Sequence, residues 1–210
     1  MVKVKICGIT NVEDALLASR YGADALGLIF SHKSPRSVTL TQAKKIIKEI
    51  DPFILTVGVF VNEVKETVHE IAGELRLGAL QFHGEEPPAY CSEFRKSYRV
   101  IKTIFPHQED FIGQCERYHV DAYLFDMSQE QKQQGCKKIP KDVLKKIEPI
   151  GKDKKIIISG GLTADNVRLA LTMKNIYAVD AASGIESVPA KKNEDLMRQF
   201  IYNVKTYEST

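Results

Sequence analysis

One pattern limits the folds open to this chain more than any other: an alternation that can be counted eight times. Short β-branched, apolar runs alternate with amphipathic stretches along all 210 residues. The strand-like runs are 4–7, 25–30, 55–61, 79–83, 100–104, 122–126, 155–159 and 177–180. The helical patterns between them are 12–20, 41–50, 63–72, 87–96, 109–118, 140–147, 163–173 and 193–204. Local signals mark several boundaries. Leu40-Thr41 opens the second helix and Asp51-Pro52 stops it, Asn62 is placed to cap the third, and Pro87-Pro88 suits the first turn of the fourth. Eight strand–helix units of about 25 residues read as a closed parallel α/β barrel of the (β/α)8 or TIM type. An open doubly wound sheet gives the same alternation over five or six strands. The count of eight, and the lack of a Gly-x-Gly-x-x-Gly turn, favour the barrel. The chain is shorter than the typical barrel of about 250 residues, so its loops must be short. No low-complexity stretch or Pro/Gly linker divides it, and a single barrel domain over 1–210 is expected.

Composition excludes several classes. Hydrophobic residues make up 43% and charged residues 27%, values of an ordinary globular protein. A net charge of +3 is too small to argue for nucleic acid or a membrane surface as partner. The lysine clusters at Lys152, Lys154 and Lys155 and at Lys191 and Lys192 read as solvated surface. Cys7, Cys91, Cys115 and Cys136 show neither CxxC pairing nor zinc spacing. No metal, no disulfide framework and a reducing, cytoplasmic setting are therefore expected. Met1-Val2-Lys3 leads straight into a strand without signal-peptide architecture. No apolar run approaches the roughly 18 residues of a membrane span.

A barrel of this kind carries its active site at the C-terminal ends of its strands. Cys7, His83, Asp126 and Asp180 all fall there, more reactive groups than a structural barrel requires. In the first strand Val4 and Ile6 face one way, and Lys3, Lys5 and Cys7 the other. A neighbouring ammonium favours thiolate, so Lys5 is expected to draw the Cys7 pKa from about 8.5 toward neutrality. The alternative is a cysteine that merely packs. Asp126 closes the apolar run Tyr123-Leu124-Phe125. Partial burial there favours a protonated acid, while the same position also suits a helix N-cap. Cys7 and Asp126 on strands one and six can face each other across the mouth as base and acid. Arg36 lies in Ser34-Pro35-Arg36-Ser37, where the proline stiffens the loop and the guanidinium can grip a carboxylate by two parallel hydrogen bonds. His83 is placed to orient substrate or to cap its strand. Gly160 and Gly161 follow strand seven, and Ser183 and Gly184 follow strand eight. Uncovered backbone N–H groups at these two positions, with a helix start behind them, suit a phosphate.

Together, Lys5-Ile6-Cys7-Gly8-Ile9-Thr10, Ser34-Pro35-Arg36-Ser37-Val38, Val57-Gly58-Val59-Phe60-Val61-Asn62, Gln81-Phe82-His83-Gly84-Glu85, Ser159-Gly160-Gly161-Leu162 with Asn166-Val167, and Asp180 with Ser183-Gly184-Ile185-Glu186 resemble the phosphoribosylanthranilate isomerases of tryptophan biosynthesis. The resemblance covers nearly the whole chain in order. It implies an aldose–ketose type isomerase acting at the third step from chorismate to tryptophan. The reaction is an Amadori rearrangement of N-(5-phosphoribosyl)anthranilate to 1-(2-carboxyphenylamino)-1-deoxyribulose 5-phosphate. Carried onto this chain, Asp126 is the general acid at the ribose ring oxygen and Cys7 the general base at C2. Arg36, with His83 and Asp180, binds substrate, and Gly160, Gly161, Ser183 and Gly184 hold the phosphate. No cofactor is implied, because the substrate nitrogen is its own electron sink. A sugar phosphate is the expected partner, with the protein a monomer or homodimer.

One stretch departs from the family. After the sixth-strand aspartate such enzymes carry a Gly-Gly-Thr-Gly type loop followed by Phe-Asp-Trp. Here residues 127–140 are polar and rich in glutamine and lysine. A barrel that binds sugar phosphate with reduced or altered activity is the alternative that this loop raises.

Overall fold

In the computed structural model, which describes residues 1–107, 110–127 and 140–207, the first strand is buried on both faces. Within β1 (Lys3–Cys7), Val4 and Ile6 are fully covered on one side, and Lys5 and Cys7 are covered on the other. A strand buried on two sides needs helices over one face and other strands around the opposite one, as in a sheet closed on itself. The sheet is completed by β2 (Ala25–Ile29), β3 (Leu55–Phe60), β4 (Ala79–Phe82), β5 (Arg99–Ile104), β6 (Ala122–Phe125), β7 (Lys155–Ile158) and β8 (Ile176–Ala181). Each pairs in parallel with its neighbour in sequence, and β8 returns to β1 with Lys3 opposite Ala178 and Lys5 opposite Asp180. All eight strand-like runs are strands.

The helices around this barrel are α1 (Val12–Tyr21), α2 (Leu40–Glu49), α3 (Lys65–Leu75), α4 (Pro88–Phe94), α5 (Phe111–Arg117), α6 (Lys141–Ile147), α7 (Val167–Leu171) and α8 (Glu194–Lys205). Side-chain caps start several of them. Asn11 accepts the Asp14 N–H at 2.8 Å, Thr39 and Gln42 form a capping box, and Asn193 accepts from Leu196. Among the described residues, no helix is long and apolar enough to cross a membrane.

Three local expectations are corrected. Asn62 does not cap α3, which begins at Lys65 without a side-chain cap. Asn62 takes φ 51° and accepts the Glu85 N–H at 2.7 Å, so it is committed to the loop after β4. The seventh helix is shorter than 163–173 because Asn166 closes the glycine loop before it, accepting from Thr163 N–H and donating to the Gly161 carbonyl. Between β8 and α8 the chain makes a 3-10 turn (Ser183–Ile185), then a two-stranded hairpin, β9 (Glu186–Val188) and β10 (Lys191–Lys192). The sequence pattern gave no hint of the hairpin. It places Lys192 in the interior, 3% exposed, where a surface lysine was expected; Lys152, Lys154 and Lys155 are exposed as read.

Two apolar shells result. Outward-facing residues such as Ile6, Leu28, Phe60, Phe82, Phe125 and Val179 pack against the helices. Inside, Ala25, Ala79, Ala122 and Ala178 meet Val57, Ile101, Leu124 and Ile157 in the lower half of the barrel. Above them the inward positions turn polar: Lys5, Gln81, Thr103, Asp126, Ser159 and Asp180 are all buried. The loops at this upper end are tied to a buried ion pair outside the barrel. Lys102 Nζ lies 2.8 Å from Glu86 Oε2 and donates to the Gly84 carbonyl, while Glu86 accepts from the N–H groups of Asn62 and Gly84. Removing one partner of such a pair strands the other charge in a dry site, at a cost of about 3–5 kcal/mol. Lys102→Met is therefore expected to lower unfolding free energy by about that amount in urea titration. A loss below about 1 kcal/mol would show that the pair is dispensable.

Candidate active site

The base of the site is the seam between β1 and β8. Lys5 Nζ lies 2.9 Å from Asp180 Oδ1, and Ser159 Oγ donates to Asp180 Oδ2 at 3.0 Å. Both carboxylate oxygens of Asp180 are thus engaged within the protein. The Cys7 sulfur sits beside the Lys5 ammonium over Gly27 of β2. A Cβ at position 27 would lie 2.7 Å from that sulfur and 3.1 Å from Lys5 Nζ, so only glycine leaves room for the pair. The expected direction of the thiol pKa is corrected here. Burial pushes Cys7 above its ordinary value; Lys5 and Lys192 pull it down, and burial wins. Burial also works against the Lys5 charge, but Asp180 and Cys7 overcome it and hold the ammonium.

On the far side, Asp126 follows β6 and accepts the Met127 N–H at 2.6 Å. His83 Nε2 lies 3.5 Å from Asp126 Oδ2. The other ring nitrogen, Nδ1, is 3.0 Å from Thr103 Oγ1 and 3.1 Å from Gln81 Nε2. Gln81 also donates to Thr103 at 3.3 Å. The ring thus bridges the Gln81–Thr103 pair on one side and Asp126 on the other.

The third group is an arginine held by a carboxylate. Arg36 Nε and Nη2 donate to the two Glu186 oxygens at 2.7 Å each. Lys192 Nζ lies 3.0 Å from Glu186 Oε1 and donates to the carbonyls of Cys7 at 2.7 Å and Ala182 at 3.1 Å. Burial raises Glu186, but Arg36 and Lys192 outweigh it and keep the carboxyl below its usual range. The chain Arg36–Glu186–Lys192 runs from the loop after β2 to the end of β1.

The fourth part is the pair of glycine loops. Gly160 and Gly161 have φ 83° and 72°, and Ser183 and Gly184 begin the 3-10 turn after β8. The backbone N–H groups of these four residues donate to no carbonyl among the described residues. A concave set of unspent donors on adjacent strand ends is suited to a phosphate.

The barrel therefore places Cys7, His83, Asp126, Asp180, Arg36 and the glycine loops at one end. Thr103, Gln81, Ser159, Glu186 and Lys192 join them and had no assigned role. Gln81 carried a readable signal, as the polar residue on the inward face of the otherwise apolar β4, and Ser159 carried one as the polar residue that ends the apolar run of β7. Lys192 carried none, because its burial depends on the unforeseen hairpin. The polar segment after Asp126 falls almost entirely at 128–139, outside the described residues.

The chain is similar to known proteins over almost its whole length. The family model for N-(5'phosphoribosyl)anthranilate (PRA) isomerase matches residues 4–203. An N-(5'-phosphoribosyl)anthranilate isomerase of Pelobacter propionicus is 41% identical over 210 residues, covering 100% of this chain and 98% of the relative. A crystal structure of phosphoribosyl anthranilate isomerase in complex with reduced 1-(o-carboxyphenylamino)-1-deoxyribulose 5-phosphate superposes with a TM-score of 0.87 at 37% identity, covering 99% of this chain and 100% of the other. Mutually generated monomers of the dimeric enzyme from Thermotoga maritima give 0.87 at 36% identity, with the same coverage.

The charge balance at Cys7 can be read by ultraviolet absorbance of the thiolate, as the difference between the protein and its Cys7→Ala variant. Because burial wins over Lys5, thiolate is expected to appear only above the ordinary thiol midpoint of about 8.5. Lys5→Met removes a lowering influence and moves the midpoint higher still. A midpoint near neutrality in the unliganded protein contradicts this balance.

Proposed function

The chain belongs to the N-(5'-phosphoribosyl)anthranilate isomerase family, and from that membership we propose how its own residues carry out the family's Amadori rearrangement in tryptophan biosynthesis. Asp126 protonates the ribose ring oxygen. The C1–O bond breaks, and the electron pair on the anthranilate nitrogen forms the C1=N bond of a cationic Schiff base. Cys7 takes the proton from C2 in its thiolate form, which burial makes the minority form at neutral pH and the Lys5 ammonium beside it favours. The C2–H electrons move into a C1=C2 bond and the iminium electrons return to nitrogen, giving an enolamine. Ketonisation places a proton on C1 and releases one from the C2 hydroxyl, which lets both groups end as they began. The substrate nitrogen is the electron sink, so the sequence uses no cofactor.

The arrangement that supports this reading most is the opposition of Cys7 over Lys5 and Asp126 beside His83, two proton carriers on opposite walls of one mouth. His83, with Nε2 beside the Asp126 carboxyl, orients it. Arg36 takes the anthranilate carboxylate, and the N–H groups of Gly160, Gly161, Ser183 and Gly184 take the phosphate. Asp180 acts through Lys5, since both its oxygens are already engaged. A soluble biosynthetic barrel of this kind would work in the cytoplasm.

Loss of either proton carrier is expected to lower kcat by about 10²–10⁴-fold. Cys7→Ala and Asp126→Asn, checked by circular dichroism for an unchanged fold, should each fall in that range when substrate fluorescence is followed. Full activity in either one removes that residue from the mechanism.

For the quaternary state we propose a homodimer through the opposite, N-terminal end of the barrel. The four interior alanines leave a cavity of about 620 Å³ opening there. Phe53, 94% exposed, stands on its rim beside the partly exposed Leu55 and Tyr177. The cavity has an apolar floor and a rim that carries Lys3, Asp24, Arg99, Asp121 and Lys155, and the bare phenyl ring at its edge can enter the same cavity of a second copy, as an isologous contact requires. Light scattering coupled to gel filtration should give twice the chain mass for the wild type and the single chain mass for Phe53→Glu. A monomeric wild type at micromolar concentration overturns the dimer.

A further inference from the structure

Arg36 can act as a carboxylate clamp only if something aims it, and the aiming group is visible. A guanidinium has two edges able to form paired hydrogen bonds: the side edge, Nε with Nη2, and the end edge, Nη1 with Nη2. Glu186 occupies the side edge completely, at 2.7 Å on both bonds. The stem is fixed as well. Gly8 has φ 70°, and a Cβ there would lie 2.5 Å from Arg36 Cδ, so the arginine lies directly across the turn after Cys7. The side chain of Glu186 is 4% exposed and that of Lys192 not at all, whereas 20% of the Arg36 side chain remains open. With the flank taken by Glu186, the Nη1–Nη2 edge is the paired edge left for a ligand.

Charge supports the same reading. Arg36 and Glu186 alone would cancel and offer nothing to an incoming anion. Lys192 supplies a second cation on the Glu186 Oε1 oxygen, and the three groups together keep one net positive charge. Lys192 cannot itself meet a ligand, because it is buried among the Cys7 and Ala182 carbonyls and Glu186. Its backbone N–H is tied to Asp14 at 3.0 Å, and Thr10 holds the hairpin turn through the Ala190 carbonyl. The hairpin is thus a bracket fixed to the first strand–helix unit.

We propose that Glu186, held and neutralised by Lys192, is the positioning residue that presents the Nη1–Nη2 edge of Arg36 to the substrate's aromatic carboxylate, and so sets specificity for a carboxylated arylamine. This rests on the assignment of Arg36 to that carboxylate. Neither Glu186 nor Lys192 touches the reacting carbons.

Calorimetry with two non-reactive ligands tests it: the reduced carboxyphenylamino-deoxyribulose phosphate, and the same molecule with a plain phenyl ring. Glu186→Gln is expected to weaken the carboxylated ligand about tenfold and leave the phenyl ligand within about twofold, since one charge-assisted bond pair is lost. Lys192→Met should act in the same direction, through charge. Glu186→Asp, one methylene too short to span both cations, gives the same selective loss and serves if the amide variant does not fold. Equal weakening of both ligands, or of neither, overturns the aiming role. Arg36→Met separates the two layers of inference. If it fails to distinguish the ligands, the carboxylate assignment itself falls. If it distinguishes them and the Glu186 variants do not, only the aiming role falls.

Discussion

The bond between Lys5 and Asp180 is where architecture and chemistry meet. It joins the first and last strands at the register that closes the barrel. Slipping that register by one residue would turn Lys5 and Cys7 outward into the apolar shell and bring Ile6 inside. The ion pair therefore specifies closure in a way that the small alanines below it cannot. A buried pair of this kind is weak evidence for stability on its own, since desolvation offsets much of its attraction. Its value lies in what it excludes: every pairing that leaves one of the two charges alone.

The same logic recurs around the mouth. Lys102 with Glu86, and Lys192 with Glu186, are buried ion pairs that also bind backbone groups of the surrounding loops, Glu86 through N–H groups and both lysines through carbonyls. Each ties together loops that are distant in sequence. The outer apolar shell supplies the favourable burial, at roughly 25 cal/mol per Å², and the polar groups spend part of it to fix loop positions. Precise placement of catalytic groups on strand ends, rather than on free loops, follows from this division.

The alternation in the sequence was sufficient for all eight strands and for the end of the barrel at which chemistry gathers. A period-2 pattern of buried residues is a local property, and it survives without knowledge of neighbours. Cys7, Asp126, His83 and Arg36 could be found because strand ends can be located from that pattern. The direction of the Cys7 pKa is not legible locally, because its sign depends on depth as well as on the adjacent lysine, and depth is a property of the closed barrel. Asn62 was taken for a helix cap because its real partner, the Glu85 amide, lies on another loop. Lys192 was lost for the same reason. Nothing in Pro189-Ala190-Lys191-Lys192 announces a hairpin folding back onto the first strand.

That hairpin has a consequence for how the protein is made. The first strand carries the thiol, but Asp180 follows Lys5 by 175 residues and Lys192 follows Cys7 by 185, so the groups that hold this strand end are made long after it. Until they arrive, Lys5 has no counter-ion, the barrel has an open edge and Arg36 has no flank to lean on. A nascent chain thus holds Cys7 and Arg36 long before it can aim either of them, and this wall of the mouth is completed only when the segment carrying Asp180, Glu186 and Lys192 folds back over the first strand.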